Sequence, residues 1–446
     1  MPVVDGDETR AGDEGTVDDL RRTRRSVLKA SGTLTMLGAV GVGSARSHGR
    51  GRGRSDDRGQ GRGSGSDELR LFSEQAVDGA SEVVTQGVYA YVATGEGFGV
   101  VDWRNPGRPG LVATRDAPGS GIADVKVDGD LLAVGSQDGA EPSDIGTHFY
   151  DVGDSTDPRY LSTFQVLPAG VHNQHLSGDV CYIAKEFPFD ESDLRIVDVS
   201  DPTDPTLLAK WAVEDEHPEL DQPTNFVHHV FVQNDLAYLA YWDAGTRLLD
   251  VSDPTNPTEV SAFGVTPDAG EDVPFDFDNA EFVRRLLGSP GNSHYVQPSP
   301  DGNYVYDGAE TYIDDSGDIR VWDVSDLDTP RKVATIEALD LNDGTFADTS
   351  HNFDVTANRI HTSWYRGGVR VYDITDPTDP SMFATYDPEG GFYWTAVADR
   401  GFTIGSDIGG GLVFLHNDRG KQRPPGFDGD AGNGAGPGPG THAGPE

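Results

Sequence analysis

One pattern of apolar and polar positions recurs along the chain: "FGVVDWRNPGRPGLVATRD", "THFYDVGDSTDPRYLSTFQ", "LRIVDVSDPTDPTLLAKWA", "TRLLDVSDPTNPTEVSAFG", "IRVWDVSDLDTPRKVATIE" and "VRVYDITDPTDPSMFATYD". Each is an apolar run ending on Asp, a Pro/Asp/Gly turn, and a second run with period-two alternation. That is the signature of two strands joined by a tight connection. The anchors Asp102, Asp151, Asp198, Asp250, Asp323 and Asp373 recur at intervals of roughly 50 residues, and a degenerate seventh unit, "GLVFLHNDRG", carries His416 at the same place. A period of that size built from short strands marks a propeller blade.

Each unit parses as four strands. In the third, the innermost strand is expected near 171–177, the second near 180–186, the third over "LRIVDVS" and the outermost over "TLLAKWA". The anchor Asp is expected to cap the turn after the third strand by accepting backbone N–H groups. The last unit lacks a fourth strand, and a spare strand, "LRLFSE" at 69–74, precedes the first unit. The predicted fold is therefore all-β, a seven-bladed β-propeller over 69–418 closed by pairing the N-terminal strand into the last blade, which removes an exposed sheet edge. These units resemble the LVIVD-repeat family of secreted or cell-surface proteins, with "LRIVDVSDPTDP" close to the repeat consensus. The resemblance implies a fold and little chemistry, because propellers host unrelated functions.

Outside the repeats the pattern disappears. Residues 21–45, "RRTRRSVLKASGTLTMLGAVGVGSA", resemble a twin-arginine export signal: Arg24 and Arg25 precede a short Gly/Ser-rich apolar stretch that ends in small residues. This implies an extracellular or cell-surface location, with 1–45 removed after Ala45 or kept as an uncleaved anchor, the only membrane contact expected. Residues 46–68 are Gly/Arg/Ser-rich and read as a disordered linker, and 419–446 as a disordered tail.

Composition adds the solvent. With 75 Asp and Glu against 34 Lys and Arg, the formal charge is −41, and only six lysines are present. Such a surface repels nucleic acid and anionic lipid. It suits multimolar salt, where screening acts within about 3 Å, and points to halophilic adaptation. The single cysteine, Cys181, excludes internal disulfides and thiolate clusters, and its strand position predicts a buried thiol.

The stretch "VHNQHLSGDVCYIAKE", 171–186, concentrates reactive side chains. Counting ten residues back from a fixed position of the second strand gives His172, His228, His294 and His351 in four adjacent blades, and Ser81, Ile122 and Tyr393 in the others. With 12 His in the chain, chance is a poor account of that column. Two accounts remain: imidazoles that bond a neighbouring blade's backbone, inherited by duplication, or a ligand or metal site.

The long connections, 187–193, 214–225, 264–291, 312–318 and 338–350, all fall on the face where the innermost strands begin. Loops displayed together on a rigid scaffold commonly carry function. Residues 278–287, "DNAEFVRRLL", are expected to form a short lid helix capped by Asp278. Glu186, Asp243 and Glu310 end second strands on this face and join the histidines as candidate metal ligands; imidazole plus carboxylate suits Cu, Zn, Fe or Mn. Asn173, His229, Tyr295, Asn352 and Arg366 are the candidate ligand-binding residues. The architecture is similar to selenium-binding proteins of the methanethiol oxidase type, propellers with histidine-rich metal sites, although their motifs do not match here residue by residue. No hydrolase triad or phosphate loop stands out.

The expectation is an exported, monomeric propeller that binds a surface protein, a polysaccharide or a small ligand on its loop-rich face, with no nucleic-acid role. The alternative is a metal-dependent oxidoreductase or hydrolase built on the four histidines.

Overall fold

The computed structural model describes residues 67–168, 170–288, 291–312, 317–339 and 349–417. The proposed signal, most of the linker and the tail lie outside the described residues. Strands dominate because the sequence alternates every second residue and breaks at Asp/Pro/Gly turns. They assemble into seven antiparallel four-stranded sheets arranged as a ring, a seven-bladed β-propeller.

Blade three shows the plan: Asn173–Ser177, Val180–Lys185, Asp193–Asp198 and Thr206–Trp211 run from the axis to the rim. The expected strands are there, shortened at their ends. The anchor aspartates cap the turns as expected. Asp198 Oδ1 accepts from the Ser200 N–H at 2.8 Å, Asp250 from Ser252 at 2.9 Å, Asp323 from Ser325 at 3.1 Å and Asp373 from Thr375 at 3.0 Å. The Ser200, Ser252 and Thr375 hydroxyls, and then those N–H bonds, hold Asp198, Asp250 and Asp373 below the usual carboxylate range.

The ring closes through Asp67–Gln75, which pairs antiparallel with Gly411–Asn417 from Leu69↔Asn417 to Gln75↔Leu412. The strand begins two residues before the linker boundary read from composition. It also makes a short parallel contact with blade six, Asp67↔Ala384 and Glu68↔Thr385. One regularity was hidden from the pattern: every outermost strand carries a bulge against its neighbour. The extra residue is apolar in each, Val112, Leu161, Leu208, Val260, Val333 and Phe383 in blades one to six and Phe72 in blade seven. Each bulge adds twist where the blade is widest.

The core lies between blades rather than along the axis. Tyr91, Phe98 and Val100 of blade one pack on Val125, Leu132 and Val134 of blade two, and Tyr182, Leu194 and Ile196 of blade three on Val230, Leu239 and Leu249 of blade four. Cys181 is wholly buried in such a layer, and burial pushes its thiol up. The axis is left to polar side chains, and there the site forms. Among the described residues no helix is long and apolar enough to cross a membrane.

Candidate metal centre

The head of each innermost strand points at the axis, and seven-fold repetition brings those heads together. Consecutive pairs from five blades, Ala123–Asp124, His172–Asn173, His228–His229, His294–Tyr295 and His351–Asn352, with Trp394 of blade seven, enclose a cavity of about 20 Å³, measured as space open to the centre of a water molecule. The four predicted histidines therefore meet. Their rings form an arc, His172 to His228 at 4.0 Å between centroids, His228 to His294 at 4.2 Å, His294 to His351 at 4.6 Å, ending on Trp394, 4.2 Å from His351.

Hydrogen bonds fix which nitrogens are free. His228 Nδ1 lies 3.0 Å from the His294 carbonyl oxygen, and His351 Nδ1 lies 2.7 Å from that of Trp394. A carbonyl only accepts, so both Nδ1 atoms carry the proton and both Nε2 atoms keep a lone pair. That is the tautomer of a metal-ligating histidine whose other nitrogen is anchored. Burial holds His228 and His294 well below the ordinary imidazole value and His351 down to about 3, so these rings are neutral, the form that binds a metal.

Glu310 joins them. Its Oε2 is 3.5 Å from His294 Nε2, and its Oε1 is 3.9 Å from His351 Nε2. These separations are long for hydrogen bonds. Two ligands bound at about 2.1 Å to one tetrahedral ion lie about 3.4 Å apart, so 3.5 Å fits partners of a shared ion. Burial raises Glu310 above the usual carboxylate range, against the hydroxyls of Tyr312 and Tyr365.

His172 differs. Its Nδ1 sits 2.7 Å from Glu186 Oε2 and 3.1 Å from Gln137 Nε2, and it is more open, with 23% side-chain exposure against 3% for His294 and His351. Burial opposes its charge, but Glu186, Glu310 and Asp124 together raise it above the ordinary value. Ligand atoms of His172, Glu186 and His228, and those of His228, His294 and Glu310, lie within 4.8 Å of one another. The two groups share His228, which has one free nitrogen.

The remaining predicted residues stand elsewhere. Asp243 is turned away and holds Arg285 of the lid helix at 3.2 Å, both fully buried. The residue at the end of the second strand that faces the axis in blade four is Trp242, one position earlier, 5.3 Å from the His228 ring. Trp242 has a left-handed backbone (φ 43°), which redirects the chain and carries Asp243 off the axis. The lid helix runs Ala280–Leu287 and is capped by Asn279, whose Oδ1 accepts from the Glu281 N–H at 3.0 Å, not by Asp278. Its Phe282, Val283, Leu286 and Leu287 pack over Phe226 and Trp242. Arg366 is exposed and outside the cavity. Of the concentrated stretch 171–186, only His172 and Glu186 reach the centre; Lys185 is buried and donates to the Glu191 carbonyl.

Asn173, His229, Tyr295 and Asn352 line the cavity, with polar groups already engaged. Asn173 donates to Asp124 Oδ1 at 3.0 Å and accepts from the Val230 N–H, Asn352 donates to Glu82 Oε2 at 2.7 Å, and His229 Nδ1 accepts from the Val296 N–H at 3.3 Å. Tyr295 stacks 3.9 Å from His229. Glu82 and Asp124 clasp Lys126, three buried charges that the histidine column did not reveal. Burial pushes Asp124 up to about 6 despite Lys126, and the two carboxylates raise Lys126 despite burial.

Fold and site thus define a class: a seven-bladed propeller with an imidazole and carboxylate cluster on its axis. LVIVD repeats are present in three places, 79–116, 172–212 and 227–264, which are blades one, three and four. No curated protein matches the chain. Solved structures are similar in fold alone. The RRP9 WD40 repeats superpose with a TM-score of 0.53 at 10% identity, over 79% of this chain and 99% of that one. A chain of a mitotic checkpoint complex gives 0.53 at 11%, over 84% and 99%, and a protein from Lactobacillus plantarum 0.52 at 13%, over 73% and 86%.

Proposed function

We propose that this propeller is a metalloprotein that binds and activates a small ligand at one transition-metal ion on its loop-rich face. The observation that carries the reading is the gathering of His228, His294 and Glu310 ligand atoms within 4.8 Å of one another, with His351 Nε2 3.9 Å from Glu310 and the Nδ1 atoms of His228 and His351 tied to backbone. His172 Nε2 is the further donor, oriented by Glu186. The donor set suits Zn, Cu, Fe or Mn, and the ion would supply a Lewis acid or redox centre for hydrolytic or oxidative chemistry. The greater exposure of His172 and Glu186 marks the side on which a ligand enters. Metal content by plasma mass spectrometry tests this, on wild type and a His228→Ala, His294→Ala double variant. About one ion per chain, lost in the double variant, is expected. A wild type that holds no metal and takes up none of the four would overturn it.

We infer further that the protein is exported to the cell surface or medium in a saline environment, on the strength of Arg24 and Arg25 before a short apolar stretch and of the −41 charge. Mass spectrometry of the mature chain would show an N-terminus at Arg46. A mature chain that retains Met1 in the cytoplasm would refute export.

A further inference from the structure

Tyr312 and Tyr365 each place a phenol hydroxyl 2.5 Å from the same oxygen, Oε1 of Glu310. We infer that these tyrosines are positioning residues that lock Glu310 as a single-oxygen ligand, leaving Oε2 for the ion; this rests on the metal reading above. Two O–H donors converge on Oε1, which has two lone pairs to accept them. The carboxylate then has one oxygen to give, and Oε2 is the one 3.5 Å from His294 Nε2.

A second, independent observation is backbone strain. Tyr365 reaches Glu310 from a left-handed conformation, φ 38°, which is unfavourable for a non-glycine residue. The same bridge to the neighbour's innermost strand is made in blade one by Gly95 (φ 81°) with Ile122 and in blade four by Trp242 (φ 43°) with Ser293, so the left-handed turn belongs to the scaffold and the side chain it carries is what differs. Glycine is the unstrained choice there. The tyrosine brings a hydroxyl onto Glu310 and a ring 4.6 Å from His351, with Phe392 4.7 Å from the same ring. One side chain thus orients two ligands.

The lock also selects the ion. Neutral imidazoles with one monodentate carboxylate make a low-coordination site for zinc or copper chemistry, rather than the many-oxygen cage calcium needs. The test uses the full chain, stripped with chelator and titrated with Co(II) alone, for wild type, Tyr312→Phe, Tyr365→Phe and the double variant. Partners that orient a ligand are worth 10–100-fold in metal affinity. Each single variant should lose roughly that factor and shift the visible Co(II) bands, with metal-free melting temperatures close to wild type. If wild type binds Co(II) and the variants bind it equally well with the same spectrum, the inference is overturned and the metal reading stands. A loss of affinity matched by an equal loss of metal-free stability would also overturn it. If wild type takes up no Co(II), the metal reading itself fails.

Discussion

Replacing Asp243 by Asn separates the geometry of this site from the pattern that led to it. By position Asp243 belongs with Glu186 and Glu310; in space its carboxylate lies against Arg285, 3.2 Å from Nε, with side-chain exposures of 2% and 3%. Arg285 Nη2 also donates to Thr224 Oγ1 at 2.8 Å and Nη1 to the Glu271 carbonyl at 3.0 Å. The substitution removes the charge and leaves the guanidinium buried without a counter-charge, which costs about 3–5 kcal/mol. With about 335 folded residues at about 2.1 cal/mol/K each, the unfolding entropy is about 0.7 kcal/mol/K, so the melting temperature should fall by about 4–7 °C. Metal content should stay within twofold of wild type. Differential scanning calorimetry with metal analysis of the same sample reads both. A variant that melts within about 1 °C of wild type but loses its metal would make Asp243 a ligand and refute the reasoning.

Deleting residues up to Gln75 removes the strand paired from Leu69 to Gln75 and exposes the edge of blade seven; the truncated chain should aggregate or melt more than about 10 °C lower, and a change under about 2 °C in thermal scans would refute closure by this strand. His148 is wholly buried, with Nε2 at 2.9 Å from Ser136 Oγ and Nδ1 at 2.8 Å from Thr163 Oγ1, and burial lowers it to about 4. Its folded value lies below the unfolded one near 6.5, so the unfolded chain takes up the proton first. Stability from this group is complete above about pH 6.5 and falls by about 3 kcal/mol as pH drops towards 4. Denaturant midpoints for wild type and His148→Gln at pH 7.5, 5.5 and 4.5 should converge as pH falls; parallel curves would contradict this. Cys181 should resist a thiol reagent in the native state and react on unfolding, and stoichiometric native labelling would contradict its burial.

The blades were legible because each repeats one pattern, and closure because blade seven lacks an outermost strand that 69–74 can supply. The histidine column was legible for a related reason: the hairpin between the innermost and second strands keeps its length in blades three, four and six, so a fixed count finds His172, His228 and His351. In blades two and seven no tyrosine marks the phase of the second strand, and the count falls one residue short, on Ile122 and Tyr393, where Ala123 and Trp394 line the cavity. The carboxylates failed at a finer level. Glu186 and Glu310 face the centre, but in blade four the position belongs to Trp242, whose left-handed φ depends on bridging Ser293 of the next blade. Nothing local in "YWDAG" announces that. Lys126 with Glu82 and Asp124 was missed because a buried ion cluster assembled from blades one and two has no spacing to read.

The two accounts of the histidine column, structural imidazoles and metal ligands, are chemically compatible. An imidazole has two nitrogens, and in His228 and His351 each account uses a different one. Nδ1–H ties a blade to the carbonyl of its neighbour, a bond that duplication would propagate whether or not a ligand was present. The same bond fixes the tautomer and turns Nε2 towards the axis. The four rings, two of them held in this way, lie within 4.0–4.6 Å of their neighbours along the arc, and buried polar atoms gathered like this call for partners. His294 is the plainest case: among the described residues its Nδ1 is buried without a hydrogen-bond partner and its Nε2 has only the 3.5 Å approach of Glu310. A structural histidine would be expected to spend at least one nitrogen on a short bond. Among the described residues His294 spends neither, so the scaffold's hydrogen bonds alone do not explain it, and the ion proposed above would.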